Sequence, residues 1–243
     1  LMTEAGRILE IVHNELGKAL YPGMTTKEID ELGEEIIRSY DCIPSFLDYN
    51  GYPASICVSV NDEVVHGIPS PHRFIREGDI VSLDAGVIYK GYHSDAARTH
   101  GIGRISKEAE ELIRVTRECF FEGIKYAREG NHLFDISAAI GRYAESRGFG
   151  VVRDLCGHGI GTALHEAPEI PNYEMNRKGV LLKAGMTLAI EPMINIGGWE
   201  VDWLDDDWTV VTRDHSLSAH YENTVLITEN GPKLLSLTDT SEI

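Results

Sequence analysis

The sequence predicts one α/β domain of the α+β kind, with an antiparallel sheet in the centre and helices outside. The order helix, helix, strands occurs twice, and the two halves align at an offset of 107 residues (191 against 84, 130 against 23). At that offset Glu191 aligns with Asp84, so two carboxylates occupy equivalent positions on predicted strands of the two halves. This match favours an internal pseudo-two-fold duplication over coincidence between two amphipathic helix pairs. Because no Pro-rich or Ser-rich linker separates the repeats, about 1–104 and 105–243, we expect a single domain over residues 1–243.

Four amphipathic helices are predicted from apolar residues that recur at three- and four-residue steps. The second helix has the clearest beginning, because Thr25 and Glu28 form a capping-box pattern. The predicted helices cover residues 3–20, a segment that starts at Thr25, and residues of about 105–128 and 135–147.

The strands are predicted from short β-branched runs between turn signals. Lys90 and Gly91 form the turn of a predicted hairpin. The predicted strand segments are 56–65, the hairpin around 79–92, and residues 151–152, 187–190, 209–212 and 224–228.

The composition excludes some classes of function. With 22 Lys and Arg against 39 Asp and Glu, the formal charge is −17, which disfavours non-specific binding to DNA, RNA or anionic lipid. No apolar run approaches the ~18 residues of a membrane span. The four cysteines form no C-x-x-C pair, which suits a reducing compartment. We therefore expect a cytoplasmic protein without membrane or DNA partners.

Two aspartates in the predicted hairpin are candidate metal ligands. Asp84 interrupts an apolar strand, where an ionised carboxylate is costly to bury unless a cation accompanies it. With the turn at Lys90 and Gly91, Asp84 faces Ala97 and Asp95 faces Gly86, so both carboxylates share one face of the hairpin. This spacing suits two carboxylates that share metal ions. For either aspartate taken alone, the interpretation of a turn or capping residue is favoured over that of a metal ligand.

The second half supplies an imidazole and two more carboxylates. His158 stands between glycines, which let a ligand approach the backbone closely. A phosphate cradle is the competing interpretation of this glycine-rich segment, although no Lys-Ser or Lys-Thr follows it. Glu191 and Glu222 each lie at an end of an apolar strand. Four carboxylates and one imidazole favour a pair of divalent ions, Mn, Co or Fe with Zn also open, over a structural zinc site.

Seven short segments resemble, in sequence and in order along the chain, the motifs of a known family. They are Val65-His66-Gly67-Ile68-Pro69, Ser82-Leu83-Asp84-Ala85-Gly86, His93-Ser94-Asp95, Gly157-His158-Gly159-Ile160-Gly161, His165-Glu166, Ile190-Glu191-Pro192 and Ser218-Ala219-His220-Tyr221-Glu222. The set is similar to that of the type I methionine aminopeptidases of bacterial kind, over nearly the whole chain. The resemblance implies the pita-bread fold of the creatinase and aminopeptidase group, which agrees with the inferred duplication.

The resemblance also implies roles for the five candidate ligands. Asp84 would hold one metal ion, His158 and Glu191 the other, and Asp95 and Glu222 would bridge both. Two cations lower the pKa of a shared water, so hydroxide is available near neutral pH to attack the amide carbonyl.

Three residues would act on the reacting groups. Glu191 would carry a proton from the water to the departing amine. His165 would stabilise the tetrahedral oxyanion, and His66 would contact the substrate near the scissile nitrogen. On residues alone, a histidine such as His165 before a Pro turn is open to a structural interpretation.

Five residues match the family's methionine pocket: Tyr49, Tyr52, Cys57, Leu164 and Trp208. Relatives often carry an aromatic residue where Leu164 stands, and this departure is expected to loosen the pocket. Tyr52 and Trp208 could equally pack in a core, since large aromatic residues fill either environment.

The implied activity is the hydrolytic removal of N-terminal methionine from nascent proteins and peptides with a small second residue. A monomer is expected, with transient contact to the ribosome. One alternative is a prolidase-like or proline aminopeptidase activity, although those relatives usually carry an extra N-terminal domain for which 243 residues leave no space. The other is a non-catalytic binding protein on the same fold.

Overall fold

The computed structural model describes residues 1–237, which contain four α-helices, fifteen β-strands and one short 3₁₀ helix. The predicted repeat 105–243 therefore ends outside the described residues. The helices are α1 (Met2–Ala19), α2 (Thr26–Ser39), α3 (Lys107–Ile124) and α4 (Leu133–Glu145), and the 3₁₀ helix is Tyr49–Gly51. The strands are β1 (Ile43–Pro44), β2 (Ile56–Val60), β3 (Glu63–Val65), β4 (Ile80–Tyr89), β5 (Tyr92–Gly101), β6 (Gly150–Val151), β7 (Gly157–Gly159), β8 (Glu166–Ile170), β9 (Thr187–Ile190), β10 (Met193–Asn195), β11 (Val201–Trp203), β12 (Val210–Thr212), β13 (Ser218–His220), β14 (Glu222–Thr228) and β15 (Gly231–Leu234).

Nine of the strands form one antiparallel sheet. Its main path runs β1-β4-β5-β14-β9-β7-β8, with β2 also paired to β4 and β15 paired to β14. Two three-stranded sheets, β13-β10-β6 and β11-β12-β3, lie beside it. None of the helices between residues 1 and 237 combines the length and apolar character that a membrane crossing needs.

The large sheet has the same strand order on both sides of its centre. The first half contributes β2-β4-β5 and the second half β7-β9-β14, and β5 pairs with β14 where the halves meet. Strand β4 begins at Ile80 and β9 at Thr187, which is the same 107-residue offset that aligns the carboxylates. This correspondence supports the pseudo-two-fold duplication.

Each half has its own apolar core beneath its helix pair. One core joins α1 and α2 to β2 and β4, and includes Leu9, Ile29 and Leu83. The other joins α3 and α4 to β9 and β14, and includes Phe120 and Ile140. Because these cores cover the outer face of the sheet, its inner face is left for other contacts.

The predicted elements formed where a local signal was strong. Thr25 and Glu28 make the reciprocal bonds of the capping box. Lys90 and Gly91 both have positive φ and turn the β4-β5 hairpin, with Asp84 opposite Ala97 and Asp95 opposite Gly86 as predicted. Seven strands were not predicted: β1, β7, β8, β10, β11, β13 and β15. Five of these have only two or three residues, too few to show an alternating pattern.

One buried hydroxyl group adds three hydrogen bonds to the pairing of β5 with β14. Oγ1 of Thr224 accepts the N–H of Asp95 at 2.8 Å and donates to the carbonyl of Asp95 at 2.9 Å. The hydroxyl of Ser94 also donates to it, at 3.1 Å. Thr224 therefore connects the two halves of the sheet beside Asp95, a candidate metal ligand.

We expect Thr224→Val to lower the free energy of unfolding by about 2–3 kcal/mol, because it removes buried bonds without changing the side-chain shape. Chemical denaturation followed by circular dichroism measures this loss. Thr228→Val is the matched control on the same strand. It loses the bond to the carbonyl of Gly231 and the bond from the N–H of Asn230, of which the first is part-buried and the second exposed, and we expect it to cost about 1 kcal/mol. Equal losses in the two variants would contradict the role given to Thr224.

Candidate metal centre

The register of the sheet places three carboxylates in one row across its inner face. Asp84 on β4 lies opposite Ala97, and Ala97 lies opposite Glu222 on β14. Asn223 pairs with Ile190, so Glu191 follows β9 at the level of Glu222. Since paired residues point to the same face, the carboxylates converge from two halves of the chain.

A second row lies beside the first. Asp95 is two residues from Ala97 on β5 and is bound to Thr224, which pairs with Ala189 on β9. Ala189 in turn pairs with His158 on β7. The period of two along a strand therefore brings Asp95 and His158 to the same face as the first row.

The distances within the cluster suit shared metal ions. Nε2 of His158 lies 3.6 Å from Oε1 of Glu191 and 3.8 Å from Oδ2 of Asp95. Asp95, His158 and Glu222 each offer a ligand atom within 4.8 Å of the others. These separations exceed hydrogen-bond length but match atoms that surround one cation with bonds of about 2 Å.

Burial makes the carboxylates hard to ionise in the absence of a cation. It raises the pKa of Asp84 to about 7, with a further rise from the charge of Glu191 and an opposing effect from His220. Burial and then the charge of Asp84 raise the pKa of Asp95 well above its ordinary value. The pKa values of Glu191 and Glu222 are raised in the same direction, chiefly by burial.

The imidazoles are held in the neutral form that binds metals. Burial, and to a lesser extent the nearby His165, lowers the pKa of His158 to about 4. Burial also lowers the pKa values of His66 and His220, each to about 4. Neutral imidazole has a free lone pair, so these histidines can act as ligands or hydrogen-bond partners near neutral pH.

The buried oxygens fit a pair of cations. Within residues 1–237, Oδ1 of Asp84, Oδ1 of Asp95 and Oε1 of Glu222 are buried without a hydrogen-bond partner. A buried carboxylate oxygen without a partner is unfavourable unless a cation accompanies it. Three such oxygens on one patch therefore fit divalent ions, to which oxygen-rich sites with one nitrogen are suited.

The structure brings all twelve predicted site residues to one cavity of about 290 Å³. The ligand candidates among them are Asp84, Asp95, His158, Glu191 and Glu222, and the remaining residues are His66, His165, Tyr49, Tyr52, Cys57, Leu164 and Trp208. Their individual roles stay predictions, but their convergence from both halves is a property of the fold.

Two histidines stand at the rim of the carboxylate cluster. The ring of His165 lies 4.2 Å from that of His158, centroid to centroid, and its Nδ1 is 2.8 Å from the hydroxyl of Tyr49. His66 follows β3 with a φ of 60° and stands edge-on to Trp208 at 6.2 Å. Both imidazoles therefore border the space above the carboxylates.

The wall of the cavity is an apolar cluster separate from the two main cores. Tyr52, Cys57 and Leu164 are buried in it, and Tyr49 and Trp208 pack against it. The hydroxyl of Tyr52 donates to the carbonyl of Gly67 at 3.0 Å. The ring of Tyr52 packs edge-on against Trp208 at 5.1 Å. Tyr52 therefore both packs and lines the cavity, so the two sequence interpretations are not exclusive.

Sequence reasoning missed one member of the cluster. Nε2 of His220 lies 3.6 Å from Oε2 of Glu191 and 4.0 Å from Oε2 of Glu222. Its sequence signal was its place two residues before Glu222 at the end of a short strand. That signal did not separate it from the histidines outside the site.

An oxygen-rich cluster at the bottom of an apolar cleft is typical of metal-dependent hydrolases. Residues 1–229 match the model of "Metallopeptidase family M24". A methionine aminopeptidase of Clostridium acetobutylicum is 56% identical over 236 residues, which are 97% of this chain and 94% of that protein. The crystal structure of methionine aminopeptidase from Thermotoga maritima has a TM-score of 0.95 at 45% identity, covering 97% of this chain and 95% of its own.

The chain belongs to metallopeptidase family M24 and, within it, to the type I methionine aminopeptidases of bacterial kind. The predicted family and pita-bread fold are thereby confirmed. The Xaa-Pro dipeptidase of Bacillus anthracis is 24% identical with a TM-score of 0.78, and the match covers 98% of this chain and 60% of that one. At this identity the likeness shows a shared fold alone.

The raised pKa of Asp84 predicts a pH dependence of stability in the metal-free protein. Between about pH 4 and 7 the folded state keeps a proton on Asp84 that the unfolded state has released, so stability falls as pH rises through this window, by up to about 1.4 kcal/mol per pH unit. We expect wild type to lose stability relative to Asp84→Asn from pH 4 to 7.

Urea unfolding of both proteins in a chelator, at several pH values, measures this difference. The lowered pKa values of His66 and His158 act with the opposite sign, but they do not depend on Asp84 and so cancel in the comparison with Asp84→Asn. Added Mn²⁺ should remove the loss in wild type, because it binds the ionised carboxylate. The same pH slope in the two proteins would contradict the assignment to Asp84.

Proposed function

We propose that the protein hydrolyses the bond after an N-terminal methionine in peptides and nascent proteins, with a preference for a small second residue. The observation that carries the proposal is the single cavity, whose floor is the carboxylate cluster and whose wall is apolar. A volume of about 290 Å³ suits one side chain with its adjoining peptide group. The relatives named methionine aminopeptidase support the same activity.

We propose a site for two divalent cations, held by Asp84, Asp95, His158, Glu191 and Glu222. When bound, such ions supply Lewis acidity, which makes water a stronger acid and polarises an amide carbonyl. Mn, Co, Fe and Zn all accept the oxygen and imidazole donors of this cluster, with the soft thiolate ligands of a structural zinc site absent from the set.

The proton transfer is assigned to Glu191. Hydrolysis adds the water oxygen to the methionyl carbonyl carbon, breaks the carbon–nitrogen bond and moves a proton from water to the departing nitrogen. The side chain of Glu191 is 13% exposed to the cavity, against 2% for Glu222, so it can reach both water and substrate. A carboxylate that first accepts and then donates the proton completes the cycle unchanged.

The rim histidines are assigned to the substrate. His165 can donate a hydrogen bond to the carbonyl oxygen as negative charge develops on it, and its contact with the hydroxyl of Tyr49 fixes the ring. His66 faces the cavity beside Trp208 and can contact the peptide near the scissile nitrogen.

The same cavity favours an exopeptidase over an internal protease. The substrate's free α-amine would complete the shell of a bound cation, which an internal residue cannot offer. The apolar wall then accepts the methionine side chain, and the chain beyond the second residue leaves through the opening beside His165.

The cysteines and the net charge bear on where in the cell the protein acts. All four cysteines are free thiols in the described chain, which fits the cytoplasm, where nascent chains emerge. We propose a monomer that meets those chains by transient contact with the ribosome. Since the formal charge is −17, that contact would depend on a local patch of the surface.

The prolidase-like alternative is tested by assaying two peptide substrates side by side. We expect release of methionine from Met-Ala-Ser, and no cleavage of Ala-Pro, by protein loaded with Mn²⁺ or Co²⁺. Mass spectrometry of the products measures both. Absence of methionine release after metal loading would reject the proposed function, and cleavage of Ala-Pro alone would favour the alternative.

We expect Glu191→Gln to lower kcat by about 10²–10⁴-fold, because an amide cannot shuttle the proton. Mn²⁺ should still bind, as shown by calorimetry, since the other four ligands and one amide oxygen remain. Glu229→Gln, at the exposed end of β14, is the matched control and should keep the wild-type rate. A rate for Glu191→Gln within tenfold of wild type would contradict the assignment.

A further inference from the structure

His220 occupies a place in the carboxylate cluster that the five-ligand assignment does not explain. It ends β13, which pairs with β10 through Met193 and lies in a different sheet from the other ligands. Its side chain is 1% exposed. The imidazole therefore reaches the cluster from the side, on a strand separate from the rows of the large sheet.

The carboxylate of Glu191 lies between two imidazoles. Its Oε1 is 3.6 Å from Nε2 of His158, and its Oε2 is 3.6 Å from Nε2 of His220. His158 is 3.8 Å from a second carboxylate, that of Asp95, and His220 is 4.0 Å from that of Glu222. His220 thus has the same relation to two acidic side chains as the imidazole already assigned to a metal ion.

The ring nitrogens of His220 are unpaired in the described structure, although the residue also borders a second cavity beside Arg98 and His100. Within residues 1–237, neither Nδ1 nor Nε2 has a hydrogen-bond partner, although both are buried. A buried imidazole normally binds at least one partner. The distances of 3.6 and 4.0 Å are too long for hydrogen bonds to the carboxylates but suit atoms around a common cation. Glu191, His220 and Glu222 also offer ligand atoms within 4.8 Å of one another.

We propose that Nε2 of His220 is a sixth protein ligand of the metal centre, coordinating the divalent cation that Glu191 and Glu222 contact. This inference rests on the proposed two-metal site and adds a second imidazole to it. A second nitrogen donor favours Co, Fe and Zn over Mg, which prefers an all-oxygen shell.

The number of imidazoles on the metal is measurable in the wild-type protein. Protein loaded with Co²⁺ alone is studied by proton NMR, in which exchangeable imidazole N–H protons on ligands of the paramagnetic ion shift far downfield. We expect two such signals, from His158 and His220. A single signal would overturn the proposal, and this result does not depend on any variant folding.

The variant His220→Gln identifies the second signal. We expect it to lose one shifted signal and to bind Mn²⁺ at least about tenfold more weakly in calorimetry. His100→Gln is the matched control, because His100 is likewise a histidine with a buried, unpartnered Nε2 but lies on β5 outside the cluster. It should keep both signals and the wild-type affinity. Two signals and unchanged Mn²⁺ affinity in His220→Gln would overturn the proposal.

Failure of this inference differs from failure of the proposed function. Wild type that binds two Co²⁺ ions and releases methionine, but shows one imidazole signal, contradicts the role of His220 alone. Wild type that binds no Co²⁺ contradicts the metal centre as a whole and the role of His220 with it.

Discussion

The cost of holding four carboxylates together in a buried patch is the constraint on which the rest of the structure depends. Asp84, Asp95, Glu191 and Glu222 come from four positions on one face of the sheet. Burial raises the pKa of all four, and the neighbouring negative charges raise the pKa values of Asp84, Asp95 and Glu222 as well. A flexible framework would let these groups separate toward water. The two outer cores prevent this, because each fixes the strands of one half against a helix pair. The repulsion therefore makes cation binding favourable instead of distorting the site.

The features that depend on residues close together in the chain could be predicted from the sequence. The Lys90 and Gly91 turn sets the register of β4 and β5, and that register alone places Asp84 and Asp95 on one face. A charge inside an apolar strand is also a local signal, which is why the carboxylates were identified. The duplication follows from the 107-residue offset, since related segments give related strand orders.

The remaining features depend on contacts between distant parts of the chain. The pairing of β5 with β14 joins residues more than 120 positions apart, and no local pattern fixes its register. Strand β7 is a Gly-His-Gly segment whose extended form comes from its neighbours β8 and β9. His220 enters the cluster from a three-stranded sheet that sequence periodicity could not reveal. His158 lies on an equally short strand but was marked by the glycines on either side of it, whereas no such local signal marked His220.

The residues proposed for chemistry and those proposed for substrate choice occupy different parts of the fold. The proposed ligands lie on the paired strands of the sheet or directly at their ends, where the register decides which side chains share a face. The apolar wall comes largely from connecting segments: Tyr49 and Tyr52 precede β2, Leu164 follows β7, and Trp208 precedes β12. Changes in these segments can reshape the pocket without moving a carboxylate. An Xaa-Pro dipeptidase shares this fold at 24% identity, so the sheet framework is kept in a chain that differs at about three quarters of the aligned positions.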